Sequence, residues 1–182
     1  MREPFHSDVY LDRGDVDENL RAASAVGSRT CLSDTWAVTV PDLAARLDLA
    51  PHPEGGWYRR TWTAPATIGT PYGPRPTATA ILYLLDDVSA WHRVRSTELW
   101  CWHSGAPVGL ALGGDGAAPG APVESVLGPG TLPQREVPPG VWQTARLLGA
   151  EPALITCVVS PGFDFADFSL APRSGRIGHG QG

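Results

Sequence analysis

One stretch of the sequence, residues 92–105, brings together residue types that bind metals or transfer protons. It reads HRVRSTELWCWHSG and holds two of the five histidines, His92 and His103, with Glu98 between them. Imidazole and carboxylate groups are common metal ligands, and they are also the usual general acids and bases of enzymes. The stretch therefore predicts a metal site or an acid/base site, unless it is only a strand that turns back on itself.

Alternation along a β-strand decides which of these side chains can meet, because successive residues point to opposite faces. If Glu98 points into the protein, then Trp100 and Trp102 do so as well. His103 then points to the opposite face and is a poor partner for Glu98. His92 precedes Glu98 by six positions, with a short turn between the two predicted strands. We therefore expect His92 and Glu98 to meet inside, across a hairpin.

The composition favours short strands joined by tight turns. The chain has 182 residues, of which 42% are hydrophobic, and it contains 21 glycines and 18 prolines, both typical of turns. Runs with a period of two recur from Gly56 onward without helices between them, which predicts an all-β sandwich or barrel. The runs are WYRRTWT, TATAILYLL, ELWCWH, VGLALG, WQTARLL and ALITCVVS.

The remaining segments divide the chain into three parts. Residues 1–35 are polar, acid-rich and without period, so we expect a flexible or loosely docked extension. Residues 173–182 are a polar, glycine-rich segment that we expect to be a disordered tail. Residues 36–172 would form one domain, which begins with a short helix because Pro41 suits a first helical position and leucines form an apolar stripe beyond it.

Charge and segment composition limit the expected partners and location. Lys and Arg total 14 against 19 Asp and Glu, and a net charge of -5 leaves no basic face for nucleic acid. The sequence shows neither a signal peptide nor a run of membrane-spanning length. We therefore expect a cytoplasmic protein without nucleic-acid or membrane partners. Three cysteines without CxxC spacing indicate neither a disulfide framework nor a zinc knuckle.

Two motifs resemble those of the cupin superfamily. His92, Glu98 and Gly105 have the spacing of the first cupin motif, HxHx(3)Ex(6)G, and PPGVWQ at 138–143 resembles the second, PxGxxH. Five ordered blocks between residues 43 and 170 resemble cupin family five more specifically, a subgroup whose members are largely of unknown function. The blocks are LAPHPEGGWYRRTW, TATAILYLL, WHRVRSTELWCWHSGAPVGLAL, PQREVPPGVWQTAR and CVVSPGFDFADFSL.

The resemblance implies a fold and an assembly. The fold is the cupin double-stranded β-helix, a jelly-roll barrel that the sugar-nucleotide 3,5-epimerases share, here preceded by a short N-terminal helix. Cupin jelly rolls commonly pair through their sheets, so the resemblance also implies a homodimer.

The resemblance also defines a metal hypothesis. Cupin motifs usually supply four ligand positions, and this chain keeps His92 and Glu98 but has Val94 and Gln143 at the other two. A stable zinc or iron site needs at least three good ligands, and a neutral amide oxygen is a weak one. No cofactor is therefore favoured. The alternative is a divalent metal held by His92, Glu98 and Gln143 in a dioxygenase-like cupin.

Acid/base chemistry is the main functional hypothesis. His92 would act as general base beside Glu98, with Tyr58 or Tyr83 as the matching acid, in a small-molecule enzyme of the isomerase, epimerase or cyclase type, with a role in secondary metabolism. The side chains expected to contact that substrate are Tyr58, Arg59, Tyr83, Trp100, Trp102 and Gln143. The alternative is a non-catalytic ligand-binding cupin in which His92 and Glu98 only satisfy each other as a buried polar pair.

Two further segments carry weaker expectations. In HPEGGWYRR, either Arg59 or Arg60 is a candidate to hold an anionic substrate group, although solvated arginines on an edge strand explain the pattern equally well. His52 lies between two prolines and is expected on a surface turn. SPGFDFADF, at 160–168, is expected to have a purely structural role in closing the barrel or a dimer contact.

Overall fold

The computed structural model describes residues 42–172, so the predicted extension at 1–35 and the predicted tail at 173–182 lie outside the described residues. The described part contains one α-helix, thirteen β-strands and one 3-10 turn. In chain order these are α1 (Asp42–Arg46), β1 (Ala50–Pro51), β2 (Trp57–Thr63), β3 (Thr67–Thr70), β4 (Gly73–Pro76), β5 (Thr79–Leu85), β6 (His92–Val94), β7 (Thr97–Ser104), β8 (Val108–Leu112), β9 (Val123–Leu127), β10 (Gln134–Val137), β11 (Gln143–Leu147), β12 (Ala153–Ser160), the 3-10 turn (Phe165–Asp167) and β13 (Phe168–Leu170).

The strands form two main sheets and one separate hairpin. The first sheet has six strands in the order β1-β2-β5-β12-β7-β10, and the second has five in the order β13-β6-β11-β8-β9. Strands β3 and β4 pair with each other alone, and all of these pairings are antiparallel. This arrangement is the predicted all-β jelly roll. In the described part of the chain, no helix is long and apolar enough to cross a membrane.

The core follows from the period-two pattern of the strands. Along β12, for example, Ala153, Ile155, Cys157 and Val159 are buried, whereas the residues between them are only half-buried. These side chains pack with residues of both sheets, including Trp100 of β7. Because apolar burial is the main stabilising contribution to folding, each strand is fixed with one face inward.

Helix α1 packs on the outside of the six-stranded sheet rather than in the main core. Ala44 is fully buried, and it clusters with Leu49, Trp57 and Leu84. Asp42 in the first turn and Arg46 in the last turn also complement the helix dipole. The predicted short helix is confirmed, although Pro41, its expected first residue, lies outside the described residues.

Gly105 directly follows β7, at a position that has no room for a side chain. Its φ is +90°, in the left-handed region, and a Cβ atom there would lie 1.9 Å from the carbonyl oxygen of Pro152. The glycine that ends the motif at residues 92–105 is therefore required for a steric reason.

We predict that Gly105→Ala lowers the free energy of unfolding by about 3 kcal/mol. The backbone must move away from Pro152, and the alanine must adopt a left-handed backbone conformation. Gly114→Ala is the matched control, since Gly114 also has a positive φ, 73°, but no atom lies within 4 Å of the added Cβ. Its cost should be about 1 kcal/mol. Urea denaturation measures both values, and equal losses would contradict the steric explanation.

Candidate functional site

A small cavity of about 30 Å³ opens between side chains of the two main sheets. That volume holds only a few water-sized groups. Strand alternation supplies much of the lining, since residues two apart on β2, β5, β6 and β12 point into it. The lining residues are His52, Glu54, Tyr58, Arg60, Thr79, Ile81, Tyr83, His92, Val94, Glu98, Cys157, Val159, Phe163 and Phe168.

A backbone carbonyl group determines which ring nitrogen of His92 carries the hydrogen. Its Nδ1 lies 2.9 Å from the carbonyl oxygen of Ala90, and a carbonyl only accepts, so Nδ1 carries a hydrogen and donates it. Nε2 lies 3.1 Å from Oε2 of Glu54, and both side chains are almost completely buried. In the neutral ring, Nε2 therefore presents a lone pair to the Glu54 carboxyl group.

His52 meets the same carboxyl oxygen from a second direction. Its Nδ1 accepts the backbone N–H of Glu54 at 3.4 Å and lies 3.3 Å from Glu54 Oε2. The side chain is only 6% exposed, so the expectation of a surface turn for His52 is wrong. The turn folds back onto the cavity because Gly55 and Gly56 adopt positive φ, and because the Tyr83 hydroxyl donates to the Gly55 carbonyl at 2.9 Å.

The contact between His92 and Glu54 indicates a proton on Glu54 when the His92 ring is neutral. The lone pair of His92 Nε2 then faces Glu54 Oε2, and this contact is favourable only if the oxygen carries a hydrogen. Burial raises the pKa of Glu54 well above its ordinary value, and the neighbouring Glu98 raises it further. Burial also lowers the pKa of both His52 and His92 to about 4. Burial therefore favours the neutral form of all three groups, a carboxylic acid beside two imidazoles, although a hydrogen bond with Tyr83 opposes the rise in the pKa of Glu54.

Glu98 reaches the same cavity from β7, but its surroundings favour its ionised form more. Its Oε2 accepts a hydrogen bond of 2.5 Å from Nε2 of Gln143, whose Oε1 in turn accepts the indole N–H of Trp100 at 3.0 Å. Burial raises the pKa of Glu98, whereas the bond from Gln143 opposes that rise. Of the two buried carboxyl groups, Glu98 is therefore the one whose hydrogen bonds support the ionised form, and Glu54 is the one whose surroundings favour the proton more strongly.

The predicted direct pairing of His92 with Glu98 is wrong, although both side chains line the cavity. The side chain that contacts Nε2 of His92 is Glu54. The reason lies in the topology: β6 belongs to the five-stranded sheet and β7 to the six-stranded sheet, so the turn between them passes from one sheet to the other and forms no hairpin. Glu54 was not predicted, and its only local signal was the pair of glycines that follows it.

The predicted substrate contacts divide into two groups. Tyr58 and Tyr83 line the cavity. Trp100 and Trp102 do not, because Trp100 is buried in the core and Trp102 packs against that core while donating to the carbonyl of Ala106 at 3.1 Å. The predicted substrate contacts of Trp100 and Trp102 are therefore wrong, because the inward-facing residues of β7 beyond Glu98 pack into the core.

Gln143 and Arg59 also lie outside the cavity lining. Gln143 is fully buried behind Glu98, so it positions Glu98 rather than contacting a substrate there. Arg59 is exposed, with its Nε donating to the carbonyl of Leu47 at 3.0 Å, because alternation along β2 turns it away from Tyr58 and Arg60. His103 lies on the opposite face from Glu98, as predicted, and is exposed beside Thr156.

The segment expected to be purely structural, 160–168, also contributes to the cavity. Phe163 and Phe168 line it, and the ring of Phe168 stacks on His92 at a centroid distance of 5.6 Å. The segment is anchored by Asp167, which accepts a 2.7 Å bond from Nε of the buried Arg75. The phenylalanines that recur in FDFADF were the sequence feature that could have indicated that this segment covers the cavity.

The residues do not fit the predicted metal-ligand set. Gln143 offers no atom to the cavity, because its amide group is bound to Glu98 and Trp100. The Nε2 atom of His92 faces the Glu54 oxygen that the two imidazoles share. Within residues 42–172, no group of three or more His, Cys, Asp or Glu side chains is arranged to hold a metal ion.

The sequence of the chain matches a known protein family. Residues 41–171 match the family described as Cupin superfamily (DUF985), Cupin_5. The chain belongs to this family. The predicted resemblance to cupin family five is thus confirmed. No curated protein sequence matches the chain.

Two solved structures are similar to this cupin over most of their length. A hypothetical protein from Leishmania major is 30% identical, with a TM-score of 0.63, over 69% of this chain and 83% of that one. A protein from Shewanella oneidensis is 31% identical, with a TM-score of 0.63, over 71% and 82%. The capsular polysaccharide assembling protein CapF from Staphylococcus aureus, at 10% identity and a TM-score of 0.52 over 68% of this chain and 31% of CapF, shares the fold alone.

We predict that His92 and His52 are neutral at neutral pH and occupy opposite tautomers, with the hydrogen on Nδ1 in His92 and on Nε2 in His52. Because burial lowers both pKa values to about 4, each ring gains its second proton only as the pH falls towards that value. Nitrogen NMR of the imidazole rings distinguishes the tautomers. An imidazolium signal from His92 at neutral pH would show that Glu54 is ionised and contradict the assignment.

We predict that Gln143→Leu lowers the free energy of unfolding by about 3 kcal/mol, because Trp100 and Glu98 both lose a buried hydrogen-bond partner. The matched control is Gln134→Leu on β10, where the side chain is exposed. The control should change stability by less than about 0.5 kcal/mol. Similar small changes for both variants would exclude a structural role for Gln143.

Proposed function

We propose that this cupin is a small-molecule enzyme of the isomerase, epimerase or cyclase type, which removes one proton from its substrate and returns another. The observation that supports it is the position of Glu54 Oε2, 3.1 Å from His92 Nε2 and 3.3 Å from His52 Nδ1, in the same cavity as Glu98. Two buried carboxyl groups with different affinities for a proton provide an acid and a base at one pH.

The structure favours Glu98 as the general base and Glu54 as the general acid. A base with a pKa of about 4 is weak at neutral pH, so His92 is better suited to hold the Glu54 proton in position than to abstract one. Glu98 accepts the substrate proton, and Glu54 donates its own to a second substrate atom. The substrate loses one proton and gains one, so its composition and oxidation state are unchanged.

The walls of the cavity support this chemistry. Ile81, Val94 and Val159 contribute apolar surface beside the carboxyl groups. Low local polarity strengthens electrostatic interactions with charge that develops during proton transfer. The homodimer, the cytoplasmic location and the small-molecule partner expected from the sequence remain predictions.

The test is exchange of substrate hydrogen with solvent deuterium. Candidate hydroxy-carbonyl compounds and sugar derivatives are incubated with the protein in heavy water, and proton NMR detects deuterium gained at carbon. With a substrate identified, Glu98→Gln and Glu54→Gln should each lower the exchange rate by at least about 100-fold. Glu124→Gln is the matched control, because Glu124 is an exposed partner of Arg146.

Unchanged exchange in both cavity variants would refute the proposal. A compound that binds in the cavity and is released chemically unchanged, without deuterium, would instead favour the non-catalytic ligand-binding cupin. Circular dichroism of each variant shows whether the fold is retained.

A further inference from the structure

The inner cavity adjoins a larger groove on the protein surface. The groove has a volume of about 590 Å³, against about 30 Å³ for the cavity. Three residues, Tyr58, Arg60 and Phe163, line both spaces and therefore form the boundary between them. A substrate larger than a few atoms can place only its reacting group in the cavity, so the rest of it must lie in the groove.

Phe163 holds the Arg60 side chain at this boundary and leaves most of its N–H groups without a partner among the described residues. Its Nη2 donates to the carbonyl of Phe163 at 3.2 Å, and its guanidinium carbon lies 5.9 Å from the centre of the Phe163 ring. Among residues 42–172, no carboxylate lies within 4 Å of the Arg60 guanidinium. Since the group has five N–H donors, most of them remain for an anion.

The carboxylates of the groove lie farther out. Asp48 and Asp164 line the groove but not the inner cavity. Asp164 also uses Oδ1 to accept the backbone N–H of Ala166 at 2.8 Å. Arg59 lines the groove as well, with its Nε bound to the Leu47 carbonyl. The boundary itself therefore carries one cation, Arg60, and no carboxylate.

Aromatic rings form the other side of the groove. Phe163 and Phe165 meet edge to face with centroids 5.0 Å apart, and the side chain of Phe165 is 49% exposed. Tyr58 meets Phe165 in the same manner at 6.5 Å. An aromatic side chain exposed to this extent favours contact with a planar, apolar part of a ligand.

We propose that the groove binds the non-reacting part of the substrate, which is an organic anion with a planar ring, and that Arg60 binds its anionic group. The inference rests on the proposed function, because it assigns the substrate class of the same site. With the anion on Arg60 and the ring against Phe163 and Phe165, the neighbouring atoms of the substrate enter between Tyr58 and Phe163 towards Glu98 and Glu54.

The test uses benzoate and its neutral counterpart benzyl alcohol as probes, with affinities measured by NMR titration of the full-length protein. Benzoate should shift the signals of residues around Arg60 and Phe165. Arg60→Met should weaken benzoate binding by about tenfold or more, as expected for the loss of a charged hydrogen-bond donor, and should leave benzyl alcohol binding unchanged. Arg146→Met, on an exposed strand position, is the matched control and should change neither affinity.

Three results would overturn the inference: no benzoate binding at this groove, equal benzoate affinity in Arg60→Met, or an equal loss in Arg59→Met. The Glu98→Gln variant separates this inference from the proposed function, because it should keep benzoate affinity while losing deuterium exchange. If Glu98→Gln and Glu54→Gln both exchange normally while Arg60→Met loses benzoate, the proposed function fails and the groove assignment stands. The reverse pattern refutes the groove assignment alone.

Discussion

A carboxyl group removed from water must either find a positive partner or keep its proton, because an isolated buried charge costs far more than folding can supply. For Glu54, burial favours the protonated form. Its Oε2 lies beside imidazole nitrogens of His92 and His52, and the carbonyl of Ala90 fixes the tautomer of His92 so that a lone pair faces Glu54. The chemistry of the site depends on this one arrangement.

The fold sustains the arrangement by bringing groups from both sheets around one cavity. His92 comes from the five-stranded sheet and Glu98 from the six-stranded sheet, while the loop after β1 brings in His52 and Glu54. Gln143 holds Glu98 from behind. The two carboxyl groups thus have different surroundings, one facing imidazole acceptors and the other an amide donor, and this difference separates their roles.

The fold could be predicted from the sequence. Period-two runs bounded by glycine and proline define strands, and the motif spacing of His92, Glu98 and Gly105 matches a cupin. The contacts within the site could not be predicted in the same way. A short turn after His92 does not reveal whether the next strand pairs locally or joins another sheet. Alternation on β7 shows that Trp100 faces inward, but it does not distinguish core from cavity. Glu54 lies on a loop whose path depends on contacts with a distant strand, such as that of Tyr83 with Gly55.

Neutron diffraction from deuterium-exchanged crystals at neutral pH would show where the proton of the Glu54–His92 contact lies, because it locates hydrogen atoms. We expect one deuterium between Glu54 Oε2 and His92 Nε2, bonded to the oxygen, and one on His92 Nδ1 directed at the Ala90 carbonyl. A deuterium bonded to each of the two ring nitrogens of His92, with none on Glu54, would show an ion pair in place of a neutral acid and would refute the assignment.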